Sequence, residues 1–566
     1  MAVHDAAADA AVSPGRAKLG TGTLIAAAFS VWVVQITMSI PAVLNGLFQQ
    51  DLGTNSAQLT WITAAFLLPV TLLELTFGLL GDLFGRKKLL VYGSLLMAVG
   101  LLVAVLTPGP GTVTSSRVLV MWAGQIICGI GAAAVLPTTL AMVTVGTHTG
   151  QARSRGLAIW SVALISGGFV APVLGGWLAE SAFGGDQYGG WRWAFLVCLG
   201  LSLVSAALAI VLARDSRAPQ GRSLDWPGQI TIALALLAIL YAVVEGPTAG
   251  WGNPLIVAGF ALGAVFLAAF IVIELRTPAP LLRLELFTHR PFAIAAVTTV
   301  LGMFAFLGTG YTSSIRLSAI QGFTPLRTSI AFVLLNIMGL LFYPVISRSL
   351  AFYNPRWVLG AGFALIGVGD LWLCTVPITR LSIWPLAAPL AVVGIGFAFA
   401  LSSVTAVTVN TVPSRLAGMA SGTSSMLRDL GFTLAPTVLG AVALSKAARD
   451  IQGTVAASPA LQTALAQFYS APAHAPAAER AALAQAVGAV KSGPLGANAI
   501  PASVTGAGGK LTPFNPLKDV AFHALGSAYS LNYLIAGCCA LVAAALTIGL
   551  LRGRAHETVL TEESLA

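Results

Sequence analysis

Residues 78–88 read GLLGDLFGRKK and connect two long apolar segments through a short polar loop. The glycines of this loop allow neighbouring helices to approach closely, as small residues do inside membranes. The aspartate lies where the first apolar segment ends, so its carboxylate can pair with the arginine or lysine that follows, or cap a neighbouring helix N-terminus. A preference of short turns for glycine and basic residues explains GRKK, but not the full Gly-x-x-x-Asp-x-x-Gly-Arg-Lys spacing. We expect a gating loop formed by Gly78, Asp82, Gly85, Arg86 and Lys87.

The rest of the chain has the composition of a membrane protein. Of its 566 residues, 57% are hydrophobic and 9% are charged, whereas soluble proteins carry about 25% charged residues. A helix crosses the hydrocarbon layer with about 20 mostly apolar residues, and the chain contains fourteen such segments. They lie at roughly 22–46, 57–80, 89–107, 118–143, 156–179, 193–213, 227–244, 254–273, 292–315, 328–347, 357–376, 384–408, 417–445 and 529–551. Continuous apolar runs exclude the alternating strands of an outer-membrane barrel, and the composition excludes a soluble enzyme.

The distribution of basic residues predicts the orientation of these spans. With a cytoplasmic N-terminus, the inner loops and tails contain 18 Lys and Arg residues, whereas the short outer segments contain 5. The outer five are Arg117, Arg192, Arg316, Arg327 and Arg380. This asymmetry satisfies the positive-inside rule, so we expect a multi-pass protein of the cell membrane with both termini cytoplasmic.

Neither the net charge nor the cysteines indicate binding of nucleic acid or of a metal ion. The net charge of +10 comes from basic residues scattered singly between apolar runs, which does not favour nucleic-acid binding. The five cysteines lie inside apolar runs without disulfide or zinc spacing, so we expect no bound metal.

One long connection, roughly residues 446–528, interrupts the regular spacing of the spans. Its Ala-rich part, at about 477–490, predicts one amphipathic helix, and the Gly- and Pro-rich stretch 493–516 predicts irregular structure. Long loops are either functional or mere linkers. We expect an outer cap or spacer without a direct role in transport.

Two motifs resemble those of a known family. The loop at 78–88 is similar to the G-x-L-x-D-x-x-G-R-x-x signature of the major facilitator superfamily. The fifth span contains GGFVAPVLGGW (167–177), which resembles the G-x-x-x-G-P-x-x-G-G motif of the antiporter branch, with Ala171 where glycine is usual. The matching residues are Gly167, Pro172, Gly175 and Gly176. The proline removes one backbone hydrogen bond, and the glycines permit a bend and tight packing.

The stretches WRWAF (191–195), SLDW (223–226) and RDLG (428–431), together with fourteen spans, extend this resemblance to the 14-helix drug:proton antiporter family. It implies an all-α polytopic membrane protein with the major facilitator fold, in which two six-helix bundles and two inserted helices surround a cavity with alternating access. The implied division is a tail at 1–21, a bundle at 22–213, a linker with two extra helices at 214–275, a bundle at 276–551 and a tail at 552–566.

The resemblance further implies export of drug-like or amphipathic organic compounds, with protons as one candidate coupling ion. No P-loop, HExxH or GxSxG pattern occurs in the sequence, so we expect neither a cofactor nor an enzymatic activity. The expected partners are a small organic substrate, protons and the lipid bilayer, and we expect a monomer.

Two positions depart from the family pattern. Relatives carry an aspartate in the first span where this chain has Gln35, and an arginine in the fourth span where it has Gln125. If only one of the two charges were lost, the other would stay in the membrane without a partner. Loss of both leaves no uncompensated charge, so the two replacements fit together as one change. They leave the coupling ion open. They also favour an alternative interpretation, a non-pumping lipid-handling or regulatory membrane protein of the same fold.

Four ionisable residues lie inside the predicted spans, namely Glu74, Asp370, Arg428 and Asp429. A charge at the bilayer centre costs about 2.5–3.5 kcal/mol, so each is a candidate coupling residue. Glu74 is either a protonatable coupling carboxylate or a structural partner near the gate. Arg428 and Asp429 point about 100° apart on a helix, so we expect each to pair with another helix, with Asp370 as one candidate partner.

Polar and aromatic residues in the first, second and fourth spans are candidates for the lining of a substrate cavity. They are Trp32, Gln35, Ser39, Phe66 and Gln125. Aromatic rings can stack on a bulky or cationic substrate, whereas tryptophans near helix ends also serve as anchors at the membrane interface.

Overall fold

A computed structural model describes residues 20–109, 112–145, 150–181, 189–217, 224–278, 280–409, 417–474, 477–505 and 511–551. The tails predicted at 1–21 and 552–566 lie outside these residues, apart from the last two positions of the first tail. The first seven helices are α1 (Thr21–Ser39), α2 (Pro41–Leu52), α3 (Ser56–Phe84), α4 (Arg86–Val105), α5 (Thr114–Val145), α6 (Gly150–Glu180) and α7 (Trp191–Leu212). Two paired helices follow, α8 (Trp226–Ala249) and α9 (Pro254–Arg276).

The remaining elements form the second half of the chain. They are α10 (Arg290–Ser314), α11 (Pro325–Leu341), α12 (Tyr343–Phe352), α13 (Pro355–Cys374), α14 (Trp384–Val409), α15 (Ala417–Ala457), α16 (Pro459–His474), α17 (Ala477–Lys491), α18 (Pro494–Ala499), β1 (Ser503–Thr505), β2 (Leu511–Pro513) and α19 (Lys518–Leu550). A 3₁₀ turn at Leu284–Thr288 precedes α10, and a π-helical turn at Ile315–Ile320 prolongs it.

The number of spans agrees with the prediction. Among the described residues, thirteen helices or joined helix pairs are long and apolar enough to cross a membrane, and the pair α11–α12, bent by 44°, makes fourteen. The predicted fold class, an all-α polytopic membrane protein, is therefore confirmed. The spans next to the long connection are longer than predicted, because α15 continues to Ala457 and α19 begins at Lys518.

Short polar side chains fix where several spans begin. Asn55 accepts a hydrogen bond from the backbone N–H of Gln58, whose side chain in turn accepts one from the Asn55 backbone. This reciprocal pair satisfies two of the donors that a helix start leaves free. Asp225 caps α8 in the same way through the N–H of Gly228 at 2.9 Å. Single polar residues in the loops thus set the helix boundaries that hydrophobicity alone leaves uncertain.

The helices pack as two sets with a cavity between them. In the first set α5 packs on α3 and α4, and α1 packs on α6 and α7. In the second set α13 packs on α14 and α19, and α10 packs on α15 and α19. The sets meet where α6 contacts α11 and where α3 contacts α15, and α8 lies against both α3 and α15.

Residues 458–474, 477–505 and 511–517 form a cap over one end of this bundle, which we call the cap end. The opposite end carries residues 78–88, and we call it the loop end. Helix α17 agrees with the helix predicted at about 477–490. The prediction of irregular structure over 493–516 is wrong in part, because this stretch contains α18 and the antiparallel pair β1–β2. Contacts with distant helices stabilise these short elements, and a local composition pattern does not contain such contacts.

Two asparagines attach the cap to the helices. The side-chain amide of Asn498 donates to the carbonyl oxygens of Ala319 at 3.1 Å and Ile320 at 3.2 Å, where the π-helical turn ends. Carbonyls at a helix end lack donors within the helix, so this amide satisfies two of them. Asn515 donates to the carbonyl of Ala497 at 2.7 Å and thereby holds α18 in place. The cap is therefore fixed to the C-terminal end of α10.

We expect Asn498→Ala to loosen the cap. The change removes both hydrogen bonds to the π-helical turn, which costs about 1–3 kcal/mol when buried carbonyls lose their donor. Limited proteolysis of the cap in membrane vesicles measures this effect as a faster cleavage rate. Gln467→Ala, on the exposed side of α16, is the matched control and should leave the rate unchanged. Equal rates for both variants would show that Asn498 does not fix the cap.

Candidate functional site

The cavity between the two helix sets is lined mainly by apolar side chains. The phenylalanine and tryptophan residues of its described lining are Phe66, Trp160, Phe306, Phe332, Phe397 and Phe432. Phe306 and Phe397 stack face to face with ring centroids 3.5 Å apart. Polar groups on the lining include Gln35, Ser39, Asn45, Tyr311, Ser314 and Asn336. Such a lining suits an amphipathic molecule, because a broad apolar surface carries a few groups that can form hydrogen bonds.

Polar contacts between the two sets close the cavity towards the cap end. The side-chain amide of Asn45 on α2 donates to the Ser314 hydroxyl at 2.8 Å, and this hydroxyl also contacts the carbonyl of Ala42. The hydroxyls of Thr60 on α3 and Tyr311 on α10 lie 3.1 Å apart. The described structure is therefore closed at the cap end by contacts that α10 makes with α2 and α3.

Three charged residues lie at the side of the cavity nearer the loop end. Arg428 Nε lies 2.7 Å from Asp429 Oδ1, and Arg428 Nη2 lies 3.1 Å from Asp429 Oδ2 and 3.8 Å from Glu74 Oε1. Glu74 is 6% exposed and Asp429 is 5% exposed. Since Glu74 is on α3 and the other two are on α15, this charge triad joins the two helix sets.

One expectation about these charges is wrong and one candidate contact is not present among the described residues, whereas the expected contact of Arg428 with another helix is present through Glu74. Arg428 and Asp429 were expected not to pair directly, but the long arginine side chain folds back and reaches the adjacent carboxylate with two nitrogens. Asp370 does not contact either residue; it lies on α13, with its Oδ1 atom 2.5 Å from Thr309 Oγ1 on α10. Of the four charged candidates, the structure brings together Glu74, Arg428 and Asp429, and it places Asp370 elsewhere.

The structure divides the candidate cavity residues into two groups. Gln35, Ser39 and Phe66 line the cavity, and the Gln35 amide donates to the Ser39 hydroxyl at 3.0 Å. Trp32 packs beside Phe29 and is not among the lining residues of the described chain. Gln125 is 1% exposed, and its amide nitrogen has no hydrogen-bond partner among the described residues. Gln125 therefore lies inside the first helix set rather than on the cavity surface.

The predicted gating loop, residues 78–88, forms a local network of charges. Arg86 Nη2 lies 2.7 Å from Asp82 Oδ1, so of the partners considered for the loop aspartate the arginine is the one it pairs with. The Arg86 guanidinium also donates to Ser216 Oγ at 3.2 Å, and the Lys87 ammonium donates to the carbonyl of Ile210 at 2.7 Å. The loop is thereby joined to the end of α7.

Gly85 is required at the turn between α3 and α4. Its φ angle is +111°, a conformation that residues with a side chain rarely adopt. A Cβ atom at this position would lie 2.8 Å from both carboxylate oxygens of Asp215. Gly78 lies within α3 and faces Pro137 on α5, where a Cβ atom would make an ordinary contact at 3.6 Å.

The glycines of the 167–177 motif lie at contacts of α6 with both helix sets. A Cβ atom on Gly167 would be 2.8 Å from Gln35 Cβ, and one on Gly175 would be 3.2 Å from Ile40 Cγ1, both in the first set. A Cβ atom on Gly176 would be 2.8 Å from the backbone of Leu326 in the second set. Pro172 lies between these glycines inside α6. The motif therefore permits a close approach of α6 to α1 on one side and to α11 on the other.

Sequence reasoning missed a second charged cluster at the cap end. Asp51 accepts hydrogen bonds from Arg117 at 2.8 Å, Arg192 at 3.1 Å and the Trp191 indole at 2.7 Å. Arg117 and Arg192 were assigned to short outer segments, but Arg117 is 4% exposed. Arg316, assigned in the same way, is 1% exposed within the π-helical turn. Counting charges in loops cannot show that such residues fold back against helix ends.

A model of the Major Facilitator Superfamily matches residues 25–436. The Multidrug resistance protein Stp of Mycobacterium tuberculosis (strain CDC 1551 / Oshkosh) is 29% identical over 420 residues, which are 74% of this chain and 75% of that protein. The Tetracenomycin C resistance and export protein of Streptomyces glaucescens is 27% identical over 452 residues, which are 78% of this chain and 80% of that protein.

Solved structures of similar shape agree with this match. A bacterial homologue of the human lysosomal transporter Spinster, in an inward-facing and unoccupied conformation, has a TM-score of 0.59 at 13% identity, covering 96% of this chain and 99% of that chain. A structure of a proton-dependent oligopeptide transporter has a TM-score of 0.58 at 15% identity, covering 94% and 99%. At such low identity the likeness shows a shared fold.

The Asp51 cluster gives a prediction about stability. Asp51→Ala leaves Arg117 and Arg192 without their common carboxylate, and removal of one partner of a buried pair costs about 3–5 kcal/mol. We expect a clear fall in the thermal unfolding temperature of the purified protein in detergent. Glu479→Ala, at an exposed position of α17, should leave this temperature unchanged. A stable Asp51→Ala variant would mean that the two arginines find other partners.

Proposed function

The chain belongs to the major facilitator superfamily, and we propose that it exports amphipathic, drug-like organic compounds across the cell membrane in exchange for protons. In this proposal the two helix bundles, 22–213 and 276–551, rock about the cavity and expose it alternately to either side. The charge triad Glu74–Arg428–Asp429 is the observation that carries the proposal, because it joins the two helix sets beside the cavity.

Protonation of Glu74 changes the attraction between the two sets. When Glu74 is ionised, its carboxylate attracts Arg428 across the 3.8 Å gap between α3 and α15. When Glu74 is protonated, Arg428 keeps its two contacts with Asp429 and the attraction across the gap is lost. A proton on this carboxylate thus favours separation of the two sets, and its release favours their contact.

The position of Glu74 on α3 connects this site to the gating loop. Asp82 lies eight residues further along the same helix, about 12 Å along its axis at a rise of 1.5 Å per residue. The helix is continuous from Ser56 to Phe84. A displacement of α3 at Glu74 therefore moves Asp82 and the turn at Gly85 as well.

The lining of the cavity indicates the substrate class. Its two charged residues, Arg428 and Asp429, are paired with one another, so the surface offered to a substrate is mainly apolar and aromatic. Neutral or weakly charged compounds with ring systems fit this surface, because aromatic rings stack on aromatic side chains. The names of the two relatives, which refer to resistance and export, support the same class for this chain.

We place the loop end and both termini in the cytoplasm. The support is the excess of Lys and Arg in the loops and tails on that side, 18 against 5 in the short segments on the other. We propose a monomer that requires no cofactor.

A non-pumping lipid-handling or regulatory protein of the same fold is the second candidate. Gln35 favours it, because this amide lines the cavity and donates to Ser39 at the position where the family pattern has an aspartate. Proteoliposomes with an imposed pH gradient distinguish the candidates. Accumulation of a substrate against its own gradient supports the exporter, and its absence for every substrate that binds supports the alternative.

We expect Glu74→Gln to abolish uphill transport driven by a pH gradient and to permit downhill exchange of substrate. Glutamine has nearly the shape of a protonated glutamate but cannot release a proton, so the coupling step is lost while the cavity stays intact. Substrate uptake into proteoliposomes, with and without a pH gradient, measures both activities.

Glu245→Gln is the matched control, because Glu245 lies in another membrane helix and bonds to Trp61 away from the cavity. This variant should keep its response to the pH gradient. If Glu74→Gln still concentrates substrate with unchanged pH dependence, Glu74 is structural and the proposed coupling site is wrong.

We expect Asp82→Asn and Gly85→Val to lower transport without loss of membrane insertion. Asparagine weakens the pairing with Arg86, and valine at a φ of +111° strains the turn. Insertion depends on the apolar spans, which neither change affects. Transport normalised to the amount of protein in the membrane tests this, and full activity of Asp82→Asn would remove the loop from the mechanism.

A further inference from the structure

Helix α10 separates two polar environments. One face lines the cavity and carries Tyr311 and Ser314, which make the contacts that close the cap end. The other face turns towards α13 and α19 and carries Thr309 and Ser313, both fully buried. A chemical change behind α10 can therefore act on the closing contacts in front of it.

Behind α10, a carboxylate and a hydroxyl form a hydrogen-bond arrangement that depends on one proton. Thr309 Oγ1 lies 2.5 Å from Asp370 Oδ1 and 3.0 Å from the carbonyl oxygen of Ala305. A threonine hydroxyl has one hydrogen, so it cannot donate to two acceptors at once. Both contacts are satisfied when Asp370 carries a proton and donates it to Thr309, while Thr309 donates to Ala305.

The surroundings of Asp370 also favour its neutral form. Asp370 is 0% exposed, and its Oδ2 atom has no partner among the described residues. In the described part of the chain, no Lys, Arg or His nitrogen lies within 4.0 Å of its carboxylate. An unpaired carboxylate buried at this depth is costly, whereas a protonated one is not.

The cation next along α10 is held away from Asp370. Arg316 lies seven residues after Thr309, about 10 Å along the helix axis. Its guanidinium donates to the carbonyls of Val376 at 2.8 Å and Pro377 at 2.9 Å. The Tyr533 hydroxyl on α19 lies 2.9 Å from Ser313 Oγ on α10.

Other buried polar groups beside this cluster leave atoms without partners. Asn532 on α19 is 0% exposed, and neither its amide nitrogen nor its oxygen has a partner among the described residues. Thr312 Oγ1 on α10 is also buried without a hydrogen-bond partner among the described residues. Buried polar atoms of this kind are the usual partners of internal water, which can carry a proton to a buried acid.

The titratable and charged groups on the elements packed against α13 are as follows. On α10 and its π-helical turn they are Arg290, Tyr311 and Arg316. On α19 they are Lys518, Asp519, His523, Tyr529, Tyr533, Cys538 and Cys539. On α12, at the loop end, they are Tyr343 and Arg348, and the sequence of α14 contains none.

We propose that Asp370 is a proton-binding site behind the cavity wall and that its proton holds α10 in the position that closes the cap end. This rests on the proposed function, because it assigns a second proton site to the same transport cycle. When the proton leaves, the ionised carboxylate requires water or Arg316 as a partner. The resulting shift of α10 withdraws Tyr311 from Thr60 and Ser314 from Asn45, and the cap end opens.

Infrared difference spectroscopy on the purified protein tests the proton site without any transport measurement. A buried protonated carboxyl group gives a C=O stretching band that disappears on ionisation. We expect Asp370→Asn to abolish one such band and Glu74→Gln to retain it. Thr309→Val provides a second test that keeps the acid, and it should shift the same band because the carboxyl group loses its hydrogen-bond partner. A spectrum in which neither variant changes a band would overturn the assignment.

Labelling of a cavity cysteine tests the effect on the cap end. Ser39→Cys, in a variant whose five native cysteines are replaced, reports access of a membrane-impermeant thiol reagent from the cap side. We expect labelling to rise with pH, and Asp370→Asn to remove this rise because asparagine mimics the protonated acid. An unchanged pH response in Asp370→Asn would refute the link to α10. Loss of pH-driven transport in Glu74→Gln is a separate result, so failure of one proposal can be told from failure of the other.

Discussion

A charge inside the hydrocarbon layer must find a partner within the protein, and this constraint determines where the helices of the two sets meet. An unpaired charge at the bilayer centre costs about 2.5–3.5 kcal/mol even by insertion measurements. Arg428 meets the requirement by contacting Asp429 on its own helix and Glu74 on the opposite set. Glu74 belongs to the other helix set. The contact between Arg428 and Glu74 can therefore form and break when the two sets move during a transport cycle.

The other buried charges meet the same constraint in different ways. Asp51 is surrounded by two arginines and an indole, which fixes α2 against the starts of α5 and α7. Asp370 has a threonine hydroxyl instead of a cation, so its charge state depends on a proton. The first arrangement is permanent and structural. The second is conditional, and it lies on the rear of α10, the helix whose front closes the cavity.

The inserted pair α8–α9 is connected by hydrogen bonds to α3 and α15, the two helices that carry the charge triad. Gln229 on α8 donates to the carbonyl of Leu72 at 2.7 Å, and the Trp251 indole, just after α8, donates to Ser445 at 3.3 Å. Helix α8 thus contacts α3 near Glu74 and α15 near the cap end. Any separation of α3 from α15 must therefore involve α8, which gives the two extra helices a mechanical connection to the charge triad.

The sequence by itself determined the features that depend on local properties of the chain. Run length and hydrophobicity predicted fourteen spans, and the proximity of Asp82 to Arg86 and Lys87 in the loop gave the Asp82–Arg86 pair as one of the possible contacts. Only the tertiary structure decided that Arg428 joins Glu74, that Asp370 faces Thr309, that Arg316 is buried and that 493–516 contains α18 and a strand pair. The physical reason is that these contacts join helices far apart in the chain, and hydrophobicity shows that a segment enters the membrane without showing which neighbour its polar side chains meet.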